Sequence, residues 1–176
     1  MNQIVTYKKS GKIGTITMDD GKANAFSPAM IAAVNDALNQ ADADGVVVIL
    51  AGRKGRFSAG FDLSVMQQGP AASAEMVRSG ALLAERLLSF KRPVIVACSG
   101  HALAMGAVIL ASVDYRIGVE GDFKIGLNEV AIGMTMPWFG VEISRARLAP
   151  THLDRAVSNP RSSRLSWQFP PAFWIW

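Results

Sequence analysis

The chain has 176 residues, half of them apolar, and a net charge of +4; that length suits one ordinary domain with a substantial core. No apolar run reaches the roughly 20 residues of a membrane span and no charged-then-apolar leader opens the chain, so it reads as cytoplasmic with no membrane partner. The positive charges are scattered, without a basic stripe or interleaved aromatics, which argues against nucleic acid and fits an anionic small molecule, while a lone cysteine, Cys98, excludes a disulfide framework and a cysteine-rich metal site.

Residues 3–8 and 12–18 are rich in Ile, Val, Thr and Tyr around Ser10-Gly11, which predicts a hairpin. Ser27-Pro28 supplies an N-cap and a first-turn proline for a helix carrying Met30, Ile31, Val34 and Leu38 and ending near Asp44-Gly45. Val46-Val47-Val48-Ile49-Leu50 is apolar without alternation, the pattern of a strand covered on both faces. A glycine-rich loop over residues 52–60 precedes a helical pattern through Met76, Leu82, Leu83, Leu87 and Leu88. It leads to a second buried strand at 93–98, with Cys98 as core packing, and strand, helix and strand in this order predict a right-handed crossover. Residues 102–111 are apolar on every side, so the helix expected there must be wrapped by protein. Residues 114–119 read as a short strand, and a helix begins near Trp138. This alternation predicts an α/β fold.

Two loops follow buried strands, carry glycine and lead into helices: Gly55-Arg56-Phe57-Ser58-Ala59-Gly60-Phe61-Asp62-Leu63 and Ser99-Gly100-His101-Ala102-Leu103-Ala104-Met105-Gly106. Ligands of open α/β folds gather beyond the carboxyl ends of strands, where main-chain N–H groups and helix N-termini are exposed. Neither loop carries the Lys and Ser or Thr of a phosphate-binding glycine motif. Taken singly, each also reads as an ordinary strand-to-helix turn.

Ser58-Ala59-Gly60-Phe61-Asp62-Leu63, the run from Pro93 to Ala102 with Met105-Gly106, and Lys22-Ala23-Asn24-Ala25-Phe26 together resemble the crotonase family, in its order and at its spacing, over roughly residues 3–158. The resemblance implies a crotonase-like spiral of ββα units whose C-terminal helical part is incomplete, with an acyl-CoA thioester as ligand. It implies that the N–H groups of Phe61 and Met105 form an oxyanion hole, and that Ala23, Ala25, Ala59, Asp62, Leu63 and Gly106 line the substrate. Met105 stands where most relatives have glycine, which narrows the cavity. A carboxylate with a pKa of about 4.3 is too weak to remove a proton beside a thioester carbonyl unless the enolate is held, and one oxyanion donor contributes on the order of 3–4 kcal/mol.

Glu129 stands alone in an otherwise apolar stretch, where an acid is costly unless paired or functional, and by resemblance it is the catalytic glutamate. The second glutamate of the family's hydratases corresponds to Val108; Asp114 is six residues further on, about 9 Å along a helix axis, and does not replace it. With one acid and a Gly-Leu-Asn-Glu context, the resemblance implies a shift of a 3-enoyl-CoA double bond to position 2, with hydration, or a truncated CoA-ester binding module, as alternatives. No metal and no cofactor beyond the substrate's own coenzyme A is implied. His101 reads as a capping or packing residue.

From residue 159 onward the sequence has neither helical nor strand period. Back-translated and read from the third base of each codon, it can encode EIFSPELAVPAGFLD, which resembles the family's continuation. The expectation is a core over residues 1–158 and an aberrant, irregular tail over 159–176 that arose from a frameshift near codon 159 or 160. A homotrimer or dimer of trimers is implied for a chain whose C-terminal part is intact.

Overall fold

The structure, a computed structural model, describes residues 3–158. The opening hairpin is β1 (Val5–Ser10) and β2 (Ile13–Met18), antiparallel with Ser10 opposite Ile13. Its two-residue turn requires a left-handed conformation, which Gly11 adopts with φ 57°. Helix α1 (Pro28–Asp44) starts where the Ser27 hydroxyl accepts the Met30 N–H and stops at Gly45, whose φ of 63° directs its N–H to the carbonyls of Ala41 and Asp42. Met30, Ile31, Val34, Ala37, Leu38 and Ala41 form its buried face.

The chain then repeats one unit. β3 (Val47–Ala51) and β4 (Gly55–Ser58) lead to α2 (Leu63–Met66) and α3 (Pro70–Leu88); β5 (Val94–Cys98) and β6 (Gly100–Leu103) lead to α4 (Met105–Ala111). β7 (Tyr115–Gly118) and β8 (Ile125–Gly126) lead through a 3-10 turn (Val130–Ile132) to α5 (Trp138–Arg147), and α6 (Pro150–Ser158) follows. The first strand of each unit joins the hairpin in a sheet of order β1-β2-β3-β5-β7, and the second strands form a separate sheet of order β4-β6-β8. All pairs after the hairpin are parallel. The chain therefore adopts the expected α/β class, as a spiral of ββα units.

Four expectations need correction. β4 lies inside the stretch read as a loop, β8 was not foreseen, and residues 102–103 belong to β6 rather than to the following helix, which begins at Met105. Strands of two to four residues are too short to display a period. The strand expected to be covered on both faces is only partly so: Val48 and Leu50 are buried, whereas Val47, Ile49 and Ala51 are half-buried.

The expectations for the helix at α4 and for the packing of Cys98 and His101 hold. Met105, Gly106, Val108, Ile109 and Leu110 of α4 are buried, as a helix wrapped by protein must be. The Arg116 guanidinium donates to the carbonyls of Leu110 and Val113, 2.6 Å each, at the end of that helix. Cys98 is buried, its thiol 3.2 Å from the Gly100 carbonyl oxygen, and burial raises its pKa. The Asp114 carboxylate accepts the Val94 N–H at 2.8 Å, a structural task. His101 Nδ1 accepts the Lys124 N–H at 2.9 Å and its ring meets Phe123 edge-on at 5.4 Å, so it packs as expected. No described helix is long and apolar enough to cross a membrane. The tail at 159–176, with the frameshift expected to begin it, lies outside the described residues.

Candidate active site

The small sheet builds the site. Its three strands run parallel with Ser58 beside Ala102 and Leu103 beside Gly126, so their carboxyl ends lie at one edge. Out of that edge run residues 59–62, 104–105 and 127–129, the segments that hold the three expected catalytic residues.

The first two segments are in van der Waals contact. A Cβ added to Gly60 would stand 2.7 Å from the Ala104 Cβ, 3.1 Å from the Leu103 carbonyl oxygen and 3.4 Å from the Met105 nitrogen. Only glycine fits there, and its φ of 100° also favours glycine. Ala104 carries φ 49° and ψ −121°, a conformation L-residues seldom adopt, in turning the chain from β6 into α4. Among the hydrogen bonds of the described residues, the N–H groups of Phe61 and Met105 have no acceptor. Met105 is the first residue of α4, where an N–H has no partner within the helix. The two side chains also converge: a Cβ on Gly80 of α3 would lie 2.5 Å from two Phe61 ring carbons and 3.3 Å from the Met105 methyl. Met105 is 1% exposed, and its bulk is taken up where α3 has glycine.

Glu129 follows β8 three residues beyond Gly126, whose carbonyl accepts the Ala104 N–H at 2.9 Å. Its own carbonyl accepts the N–H groups of Ile132 and Met134, at 3.1 and 2.9 Å, which pins the turn. The side chain is buried at 6% exposure, and its Oε2 has no hydrogen-bond partner. Burial raises its pKa above the ordinary 4.5, opposed by the main-chain amides of Glu129 and Asn128. A carboxyl group so placed is costly in a fold and chemically suited to proton transfer.

The residues expected to line the substrate gather beside the first segment. Ala59 donates its N–H to the Ala23 carbonyl at 3.0 Å, Phe26 to Gly60 at 2.8 Å, and Asp62 to Phe26 at 3.4 Å, so residues 23–26 run alongside 59–62. Ala23 and Ala25 are half-buried, Ala59 is exposed and Leu63 is 53% exposed. The Asp62 carboxylate is occupied in capping α2, accepting the N–H and hydroxyl of Ser64 at 2.9 and 2.7 Å. Gly106 is buried against Ser58.

Three residues escaped the sequence reading. Asn24 and Ser58 are wholly buried and polar, and Asn24 was visible only as the amide between two alanines. Asn128 presents a buried Oδ1 without a partner directly before Glu129, legible only as a second polar residue in an apolar stretch. Two main-chain N–H groups without an acceptor, on segments in contact with each other, can hold one oxygen as it gains negative charge if they converge on it, and a buried carboxyl near the same strand ends can move a proton. Among the described residues, no three His, Cys, Asp or Glu side chains group as a metal site requires.

Residues 8–162 match the model of a family described as enoyl-CoA hydratase/isomerase. The chain is 29% identical over 161 residues to the peroxisomal enoyl-CoA delta isomerase 2 of Arabidopsis thaliana, covering 86% of this chain and 67% of that one. It is 32% identical over 134 residues to a probable enoyl-CoA hydratase of Bacillus subtilis, covering 74% and 52%. The crystal structure of an enoyl-CoA hydratase/isomerase family protein from Pseudomonas syringae superposes with a TM-score of 0.86 and 49% identity, over 88% of this chain and 67% of that one. The chain thus spans between 52% and 67% of the length of these relatives.

Proposed function

The chain belongs to the enoyl-CoA hydratase/isomerase family, the crotonases, and from that premise we propose that it converts a 3-enoyl-CoA to the 2-enoyl-CoA with Glu129 as its one base. Glu129 takes a proton from C2; the electrons move onto the thioester oxygen, which the N–H groups of Phe61 and Met105 hold. The same carboxyl returns the proton at C4, leaving the double bond between C2 and C3. Two such donors, each contributing on the order of 3 kcal/mol, supply much of what a weak carboxylate lacks.

The observation that carries this reading is that Glu129 is the one buried acid among the described residues. Val108, where a hydratase of this family would carry its second acid, is 2% exposed and faces α5, with a methyl 3.7 Å from the position of a Cβ on Gly140. One acid suffices for a proton shift within one substrate, whereas adding water is easier with two.

Hydration is the second reading, favoured by the Asn128 Oδ1, which has no partner beside Glu129; it is able to accept one hydrogen of a water while the carboxylate takes the other. A binding module without turnover is the third. Purified protein mixed with a 3-enoyl-CoA separates them. Rising absorbance of the conjugated thioester supports isomerisation, loss of that absorbance from a 2-enoyl-CoA supports hydration, and ester binding without either overturns both. The proposal extends to Ala23, Ala25, Ala59, Asp62, Leu63 and Gly106 as the substrate's lining. It also extends to a cytoplasmic location, to no cofactor beyond the coenzyme A of the substrate, and, for a chain whose C-terminal part is intact, to a homotrimer or dimer of trimers.

A further inference from the structure

Ser58 ends β4 with none of its surface exposed. Its hydroxyl donates to the Asn24 carbonyl at 2.7 Å and accepts the Gly60 N–H at 3.1 Å. Asn24 is itself an anchor. Its Nδ2 donates to the carbonyls of Met18 at 2.9 Å and Phe57 at 3.2 Å, and its Oδ1 accepts the Asp20 N–H at 3.0 Å. Its main-chain N–H donates to the Asp20 carboxylate at 2.9 Å. These bonds secure Asn24 at φ 50°, a backbone conformation uncommon outside glycine. On its other side Ser58 rests on the bare Cα of Gly106. A Cβ there would stand 2.9 Å from the Ser58 carbonyl oxygen, 3.0 Å from its Cβ and 3.3 Å from its hydroxyl.

One small side chain therefore touches both segments of the site, by a hydrogen bond to the residue before Phe61 and by contact with the residue after Met105. We infer that Ser58, anchored by Asn24, is a positioning residue that sets the separation of the Phe61 and Met105 amides. This rests on the proposed function, because the separation matters only if both amides hold one oxygen. Replacing Ser58 by Ala leaves the Gly60 N–H and the Asn24 carbonyl without their partner in a dry interior, and the Gly60–Phe61 main chain moves to regain one.

The test reads the carbonyl of a bound saturated acyl-CoA labelled with carbon-13 at the thioester carbon, whose stretching frequency falls when two donors polarise it. In the full chain the frequency falls on binding. In Ser58→Ala we expect at least half of that shift to disappear and kcat to drop about tenfold to a hundredfold, with KM held within about threefold. Gly106→Ala, which wedges the same two segments apart from the opposite side, is expected to reduce the shift in the same way and carries the test if Ser58→Ala does not fold. A folded Ser58→Ala or Gly106→Ala chain that keeps the full shift and full kcat overturns this inference alone. A wild-type chain that leaves the carbonyl frequency unmoved, or binds no ester, overturns the proposed function and this inference with it.

Discussion

Glu129 holds a proton more tightly in the folded chain than in the unfolded one, because burial favours the neutral acid over the carboxylate. Between the ordinary value of 4.5 and the raised folded value, the folded state binds more protons, so stability falls as pH rises through that window. Below the window there is no penalty; above it the penalty is complete. Glu129→Gln removes the charge, so the variant should melt at a higher temperature than wild type near neutral pH, and the difference should close as the pH drops to about 4. Thermal unfolding at several pH values measures this. The same variant should lose about 10²- to 10⁴-fold in kcat on a 3-enoyl-CoA, the usual contribution of a positioned acid–base group. The wild-type kcat/KM should rise with pH through the raised pKa, because only the carboxylate can take the C2 proton. A gain in stability beside a loss of activity is the signature of a group kept for chemistry at a cost to the fold.

Elements differ in how openly the sequence announces them. Helix α1 was legible to within a residue because a Ser-Pro start, a 3.6-residue period and a left-handed glycine stop all agree, and β3 and β5 were legible as apolar runs. β4, β6 and β8 were not, for their stability comes from pairing with one another across the spiral rather than from any pattern of their own. Their absence from the reading is also why the sequence named Phe61 and Met105 only through family resemblance, while Glu129 stood out by itself as a lone acid in an apolar stretch: the small sheet that aligns the three could not be seen. The contact between α3 and the site was hidden as well, since Gly80 looks like a helix-weakening residue until Phe61 is found against it. Alanine at 80 would improve helix propensity by about 1 kcal/mol but places its Cβ 2.5 Å from the Phe61 ring, and overpacking costs about 1–3 kcal/mol. We expect Gly80→Ala to be less stable by about 1 kcal/mol in urea unfolding, the cost exceeding the gain. We also expect its kcat to fall several-fold as Phe61 moves.

In the spiral taken as one body, no described strand pairs with the outer side of β7. β7 ends the order of the five-stranded sheet, and Tyr115 and Ile117 along it, with Val119 one residue beyond it, are 41%, 56% and 55% exposed. These alternate positions point to one side of the chain, so they form an apolar stripe beside the outer side of β7, which no described strand pairs. Such an edge drives association in proportion to concentration, because each added copy buries the stripe and satisfies the edge. A lysine at 117 keeps the strand but sets a charge in the middle of the stripe, where a partner would have to strip its water. Light scattering across a concentration series should therefore show the wild-type mass rising while that of Ile117→Lys stays constant. Folding stability should differ by no more than about 0.5 kcal/mol, since the position is exposed in the single chain. Equal scattering from the two proteins would mean that the outer side of β7 does not drive their association.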